Sequence, residues 1–213
     1  TTATLLYQIA IGLGYKAGFI GTGRIMVNDE EFKMERKIPT TPDVLALNKI
    51  FSEMNKKDCE YVFMEVSSHA MDQRRVAGIN FTGGIFTNLT HDHIDYHKNI
   101  ENYFSAKRKF FDMIPKNSFV LSNGDDEHGR MMLDKTKANK FLYGYTGTED
   151  FHGEIIKLDF SGLELDINGE KVKTGLLGKF NAYNLLAVRS ASKLLGFDMQ
   201  KVDKILEDIK PPV

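Results

Sequence analysis

Tyr61-Val62-Phe63-Met64-Glu65-Val66 is the stretch whose reading decides the fold: an apolar run of aromatic and β-branched residues interrupted by a single carboxylate. A run of this length and content predicts a buried strand. Two more such runs follow at Gly83–Asn88 and Ser118–Ser122, with helical patterns between and after them near 100–114 and 126–136. Toward the chain start, Ala17–Thr22 reads as a short apolar strand. Before it a helix is expected over 2–13, with Leu5, Leu6, Ile9 and Leu13 on one face and Gly14 as its stop. Pro42 suits the first turn of a helix running to about Met54. Strands that alternate with helices predict an α/β fold, a mostly parallel sheet flanked by helices.

After Tyr145 the texture changes. Segments 153–159, 162–168 and 171–177 are short and strand-like, with Ser161-Gly162 and Asn168-Gly169 as turn signals between them. They predict a small antiparallel β-sheet, after which helices return at about 180–195 and 200–209.

The chain has 213 residues, enough for one large domain or two small ones, and its 42% hydrophobic and 27% charged content predicts a packed globular core. A net charge of -1 argues against nucleic acid as a partner, which calls for a basic excess. No apolar run approaches membrane-spanning length, so no membrane insertion is expected. Cys59 is the only cysteine, which excludes an internal disulfide, suits a reducing cytosol and reads as a small core residue. The chain enters a helical pattern at Thr1-Thr2 and stops at Pro211-Pro212-Val213 behind another, so 1–213 is expected to be one domain of a longer protein.

Ligands of α/β sheets bind at the carboxyl ends of the strands, which directs attention to Glu65, Asn88 and Asn123. A carboxylate there can hold Mg²⁺ beside nucleotide phosphates, and can equally be an acid paired with a surface base. His91-Asp92-His93-Ile94-Asp95-Tyr96-His97 gathers three of the six histidines within seven residues. Such density suits metal binding, with a solvated polar loop as the plainer reading. It also begins the His-x-His-x-Asp signature of a metallo-hydrolase, but Tyr96 stands where that pattern needs a histidine.

Lys107 falls on the apolar stripe Ile100, Tyr103, Phe104, Phe111 and Ile114 of the helix at 100–114. A poorly solvated lysine has a lowered pKa and can capture CO₂ as a carbamate, turning a cation into an oxygen ligand for Mg²⁺. The alternative is a lysine whose stem packs while its head reaches water. Thr40-Thr41-Pro42-Asp43 resembles a helix cap, Ser67-Ser68-His69 lacks a nucleophile elbow, and Gly21-Thr22-Gly23 is too short for a dinucleotide fingerprint. Asn181 and Asn184, one turn apart at a helix start, read as caps or as readers of a purine edge.

Taken together, several strings resemble the Mur ligase family, which includes folylpolyglutamate synthase. They are Met64-Glu65-Val66-Ser67-Ser68-His69, Gln73-Arg74-Arg75-Val76, Phe86-Thr87-Asn88-Leu89-Thr90, Asp92-His93-Ile94-Asp95-Tyr96-His97, Ala106-Lys107, Asn123-Gly124-Asp125-Asp126-Glu127 and Phe180-Asn181 with Asn184. Their order and spacing fit the P-loop NTPase-like central domain of that family, in the branch that adds the third amino acid to UDP-MurNAc-L-Ala-D-Glu. The resemblance implies a cytoplasmic, ATP-dependent ligase of peptidoglycan synthesis acting through an acyl phosphate. Its implied partners are a UDP-MurNAc-dipeptide and a free amino acid. Glu65 and His93 are then Mg²⁺ ligands, and Lys107 is the carbamylated, catalytic lysine and a third ligand. Asn181 and Asn184 fall at the adenine end of ATP, and Thr40, Thr41, Ser67, Gln73 and Arg75 at the UDP-MurNAc-dipeptide.

Two departures from the family pattern stand out. The phosphate loop Gly-Thr-x-Gly-Lys-Thr is not intact, with Thr1-Thr2 resembling its end, and neither the amino-terminal UDP-binding domain nor the carboxy-terminal domain lies within the sequence. The chain alone is therefore expected to be inactive. Folylpolyglutamate synthase and a non-catalytic Mur-like binding module stand as alternatives.

Overall fold

Leu5, Leu6, Ile9 and Ala10 bury one face of the first helix, α1 (Thr2–Gly12), against strands β1 (Ala17–Gly21) and β4 (Tyr61–Met64). A computed structural model describes residues 1–34, 39–90 and 92–209, which form two compact units, Thr1–Gly78 and the residues from Ile79 onward, where the sequence reads as one domain. The expectations for His91 and for Pro211-Pro212-Val213 fall outside the described residues.

In the first unit β1 runs parallel to β4 and antiparallel to β2 (Arg24–Val27), which pairs in turn with β3 (Glu30–Glu31). β1 is buried throughout, whereas β4 is only half-buried and Val62 is exposed. The expected buried strand is thus in place but less covered, since β4 has a strand neighbour, β1, on one side only among the described residues. The β1–β2 hairpin was not legible as such. Its signal was Thr22-Gly23, a two-residue turn in which Gly23 takes φ +73°. Asp43, not Pro42, starts α2 (Val44–Lys56): the Asp43 carboxylate accepts from the Ala46 N–H at 2.9 Å, and the proline precedes the cap. A single short helix, α3 (Ser68–Asp72), follows β4.

The second unit is built on six strands in the order β10-β9-β8-β7-β6-β5. β5 (Gly83–Phe86), β6 (Phe119–Asn123), β7 (Asn139–Gly144) and β8 (Phe151–Asp159) run parallel to one another. β8, β9 (Gly162–Ile167) and β10 (Glu170–Thr174) form the antiparallel ladder expected after Tyr145, joined to the parallel strands through β8. β7 escaped the sequence reading because Asn139 and Lys140 open it and only Phe141, Leu142 and Tyr143 are apolar. Helices α4 (Ile94–His97), α5 (Ile100–Met113) and α6 (Gly129–Met132) precede α7 (Lys179–Leu194) and α8 (Met199–Asp208). α6 is a single turn, shorter than expected from 126–136, because Asp126 spends its carboxylate on loop N–H groups. Phe86, Phe111, Ile114, Val120 and Met132 form the core between α5, α6 and the parallel strands.

Two features fix the sheet to its helices. Gly129 lies so close to the end of β6 that a Cβ there would sit 1.8 Å from the Asn123 carbonyl oxygen. On the far side Arg189 of α7, 3% exposed, pairs with Asp203 of α8 at 2.8 Å and with Glu170 of β10. A buried guanidinium needs such partners, since removing one leaves an uncompensated charge.

Candidate functional site

In the first unit the ladder between β1 and β4 continues one residue beyond β4, with the Glu65 N–H donating to the Ile20 carbonyl at 2.9 Å. That bond carries the Glu65 carboxylate to the carboxyl end of the strand. Its Oε2 accepts from the Thr22 N–H at 3.1 Å and the Thr22 hydroxyl at 2.9 Å, and the Thr22 and Thr40 hydroxyls lie 3.0 Å apart. Thr22, in the hairpin turn, is a partner of the Glu65 carboxylate that the sequence reading missed; its only signal was the Gly-Thr-Gly string.

Thr41 is fully buried, and its hydroxyl donates to the Glu65 carbonyl at 2.8 Å and accepts from the Ser67 N–H at 2.9 Å. The side chain therefore braces the backbone around Glu65 and is turned away from solvent. Ser67 caps α3 by accepting from the Ala70 N–H at 3.2 Å. The guanidinium of Arg75 donates to the Thr41 carbonyl at 2.7 Å and grips the Gln73 side-chain oxygen at 2.9 and 2.6 Å. Thr40, Thr41, Glu65, Ser67, Gln73 and Arg75, scattered over 36 positions of sequence, thus form one connected hydrogen-bond network with Thr22.

The second unit brings His93 and Lys107 to the same ring, that of buried Tyr103. The imidazole of His93 meets it edge-on at 6.1 Å, and Lys107 Nζ lies 5.2 Å from its centroid. His93 sits in the left-handed region at φ 57°. Asp92 Oδ1 accepts its N–H at 2.8 Å and lies 3.6 Å from its Nδ1, an arrangement that orients metal-binding imidazoles. Burial lowers the pKa of Lys107, and the charges of Asp92 and Asp126 partly offset that effect. Among the described residues Lys107 makes no ion pair. His97, the last histidine of the dense string at 91–97, is buried, packed between the rings of Tyr96 at 4.8 Å and Tyr103 at 5.3 Å. Among the described residues no three His, Cys, Asp or Glu side chains gather about one metal position.

Of the other strand ends, Asn123 donates to the Thr87 carbonyl at 2.9 Å and so ties β6 to the segment that carries Asn88. Asn181 and Asn184 are not caps, since Gly178 holds the N-cap position of α7. Instead the Asn184 amide donates to Asn181 Oδ1 at 3.2 Å, and Asn181 donates to the Leu177 carbonyl at 2.8 Å. Phe180 beside them is exposed. Cys59 is half-buried, with its thiol pKa raised by burial, which suits an inert packing residue.

The Mur ligase middle domain family matches residues 1–191. A UDP-N-acetylmuramoyl-L-alanyl-D-glutamate–2,6-diaminopimelate ligase of Parabacteroides distasonis is 47% identical over 99% of this chain and 43% of its own length. One of the same name from Bacteroides fragilis is 46% identical with the same coverage, so the chain spans less than half the length of these relatives. A solved structure of a ligase of that name matches all of this chain and 44% of its own with a TM-score of 0.88 at 24% identity. Folylpolyglutamate synthase from Thermotoga maritima shares the fold at a TM-score of 0.72 and 12% identity. No helix among the described residues is long and apolar enough to cross a membrane.

Proposed function

Because this chain belongs to the Mur ligase middle domain family, we propose that it is the ATP-handling part of a longer cytoplasmic ligase that joins 2,6-diaminopimelate to UDP-MurNAc-L-Ala-D-Glu. The observation that carries the catalytic reading is Lys107, a lysine on the apolar face of α5 whose pKa is lowered by burial beside Tyr103. The 45–47% identity to relatives named for that amine and that dipeptide supports these substrates over a folate.

In this reading the terminal carboxylate of the dipeptide attacks the γ-phosphorus of ATP, giving an acyl phosphate and ADP. The amine then attacks the acyl carbon, phosphate leaves and an amide bond forms. Negative charge gathers at one place in both steps. In the first unit Glu65 offers a carboxylate oxygen, a donor that suits a hard cation, and in the second His93 offers an imidazole steadied by Asp92. Mg²⁺ would supply charge neutralisation in both steps. Glu65, His93 and a carbamate on Lys107 would hold it. Neutral Lys107 is the form that takes up CO₂, and burial favours that form.

Arg75, its guanidinium steadied by Gln73 and the Thr41 carbonyl, presents a forked cation suited to an anionic part of the nucleotide sugar. Thr40 and Ser67 belong to the same hydrogen-bond network, and Thr41 acts through the backbone it braces. Asn181 and Asn184 face the adenine.

The test is phosphate release by the full-length parent with ATP and Mg²⁺. The expected result is turnover that requires both UDP-MurNAc-L-Ala-D-Glu and diaminopimelate. Turnover with lysine instead corrects the amine. Turnover only with a folate and glutamate moves the chain to the sister branch, and none with any pair sinks the enzymatic reading.

A further inference from the structure

Asp125, two residues beyond the end of β6, joins segments that are remote in sequence. Its Oδ2 accepts the Tyr145 N–H at 2.7 Å, just past β7, and the Tyr183 hydroxyl at 3.0 Å, near the start of α7. The Asp125 N–H donates to Asn123 Oδ1 at 3.0 Å, so the last residue of β6 aims the carboxylate. Gly144 leaves room for it, since a Cβ there would lie 2.7 Å from Asp125 Oδ1. The rings of Tyr145 and Tyr183 meet edge-on at 4.8 Å with their planes at 79°. Burial, with the bond to Asp125 adding to it, pushes the Tyr183 phenol up to about 12, so its hydroxyl is a firm donor at neutral pH.

This assembly is costly to keep. Asp125 Oδ1 and Tyr145 Oη are shut off from solvent with no hydrogen-bond partner among the described residues. Buried polar atoms left unmatched cost stability, and a core built for stability alone does better with apolar side chains. What the assembly fixes is the helix start. Tyr183 stands between Asn181 and Asn184, which are bonded to each other, and Gly178 at the N-cap offers no side chain to anchor that turn.

We propose that Asp125 and Tyr183 are positioning residues for purine recognition: their bond seats the first turns of α7, and with them the Asn181–Asn184 pair, on the ends of β6 and β7, so that the pair tells one purine edge from another. The inference rests on the reading of Asn181 and Asn184 as the adenine contact. Paired amides offer donors and acceptors in a fixed order, and adenine and guanine present opposite partners at their 6-position. A pair held rigidly penalises the wrong base, whereas a loosened pair adapts to either.

The test compares Tyr183→Phe and Asn184→Ala in the full-length enzyme, with kcat and KM measured for ATP and for GTP. Tyr183→Phe removes one hydroxyl and keeps the ring. It is expected to raise KM for ATP by about five- to tenfold and to lower the ATP-over-GTP preference by a similar factor, with kcat and the KM for the nucleotide sugar unchanged. An unchanged purine preference in Tyr183→Phe overturns the proposal, whatever happens to kcat or melting temperature. Asn184→Ala separates the two layers. If it shifts the preference and Tyr183→Phe does not, this inference alone fails; if it leaves the preference unchanged, the adenine reading fails and takes this inference with it.

Discussion

Around Glu65 the polar groups are matched to one another inside the chain. Thr22 holds one carboxylate oxygen, Thr41 bonds both the Glu65 carbonyl and the Ser67 N–H, and Arg75 is gripped by Gln73 and the Thr41 carbonyl. Lys107 lies beside the Tyr103 ring, and burial works against the ammonium while Asp92 and Asp126 pull the other way. The first region is held in shape by hydrogen bonds within the chain. The second carries a charge that burial disfavours. Removing a central side chain should therefore have opposite consequences for stability in the two places.

The largest effect is expected at Lys107. In the full-length enzyme Lys107→Ala should lower kcat by at least about 10³-fold, the scale set by loss of a group stabilising transition-state charge. A short-chain carboxylic acid supplied in solution should restore part of it, and the melting temperature should hold or rise because a desolvated charge has gone. Full activity of the unsupplemented variant would remove the carbamate from the mechanism.

Next comes Thr41→Val, which keeps the volume and deletes the hydroxyl. It leaves the Ser67 N–H and the Glu65 carbonyl without this partner, at a cost of about 1–3 kcal/mol for a buried unsatisfied group. Denaturant unfolding of the full-length protein reads this directly. Stability equal to the parent would mean that the first region is not held together by these bonds, and the comparison would collapse.

A smaller effect is expected at Glu149, which extends the prewired pattern into the second unit. Burial opposes ionisation of this carboxyl, but bonds from Thr146, Gly147 and Thr148 outweigh it and hold the group down at about 2, from an ordinary value of 4.5. A lowered carboxyl adds stability above its unfolded value, and that contribution fades as pH falls through the folded one. Melting temperatures of the parent and Glu149→Gln should therefore differ near pH 6 and converge toward pH 2. Parallel curves across that window would show that the loop bonds do not depend on the charge.

Legibility followed the kind of signal involved. The stripe of α5 exposed Lys107 as a polar residue on an apolar face, and the short apolar runs announced β1, β4, β5 and β6, because periodic burial is written directly into local sequence. β7 was not legible, since three apolar residues behind Asn139 and Lys140 carry too little pattern. His97 counted toward the density of the His91–His97 string and is a packing residue, because composition reports how many histidines lie together and not which way each ring turns.

By itself the sequence determined the α/β alternation, the antiparallel ladder past Tyr145 and the family. It named most of the polar residues that cluster about Glu65. Only the tertiary structure decided that Thr22 is the partner of the Glu65 carboxylate, that Thr41 is a brace, and that Asp125 holds Tyr183. Those bonds join residues 43, 24 and 58 positions apart. Backbone periodicity fixes which face of an element is buried, but a hydrogen bond between distant segments depends on where the intervening chain brings each donor, and no local pattern records that path.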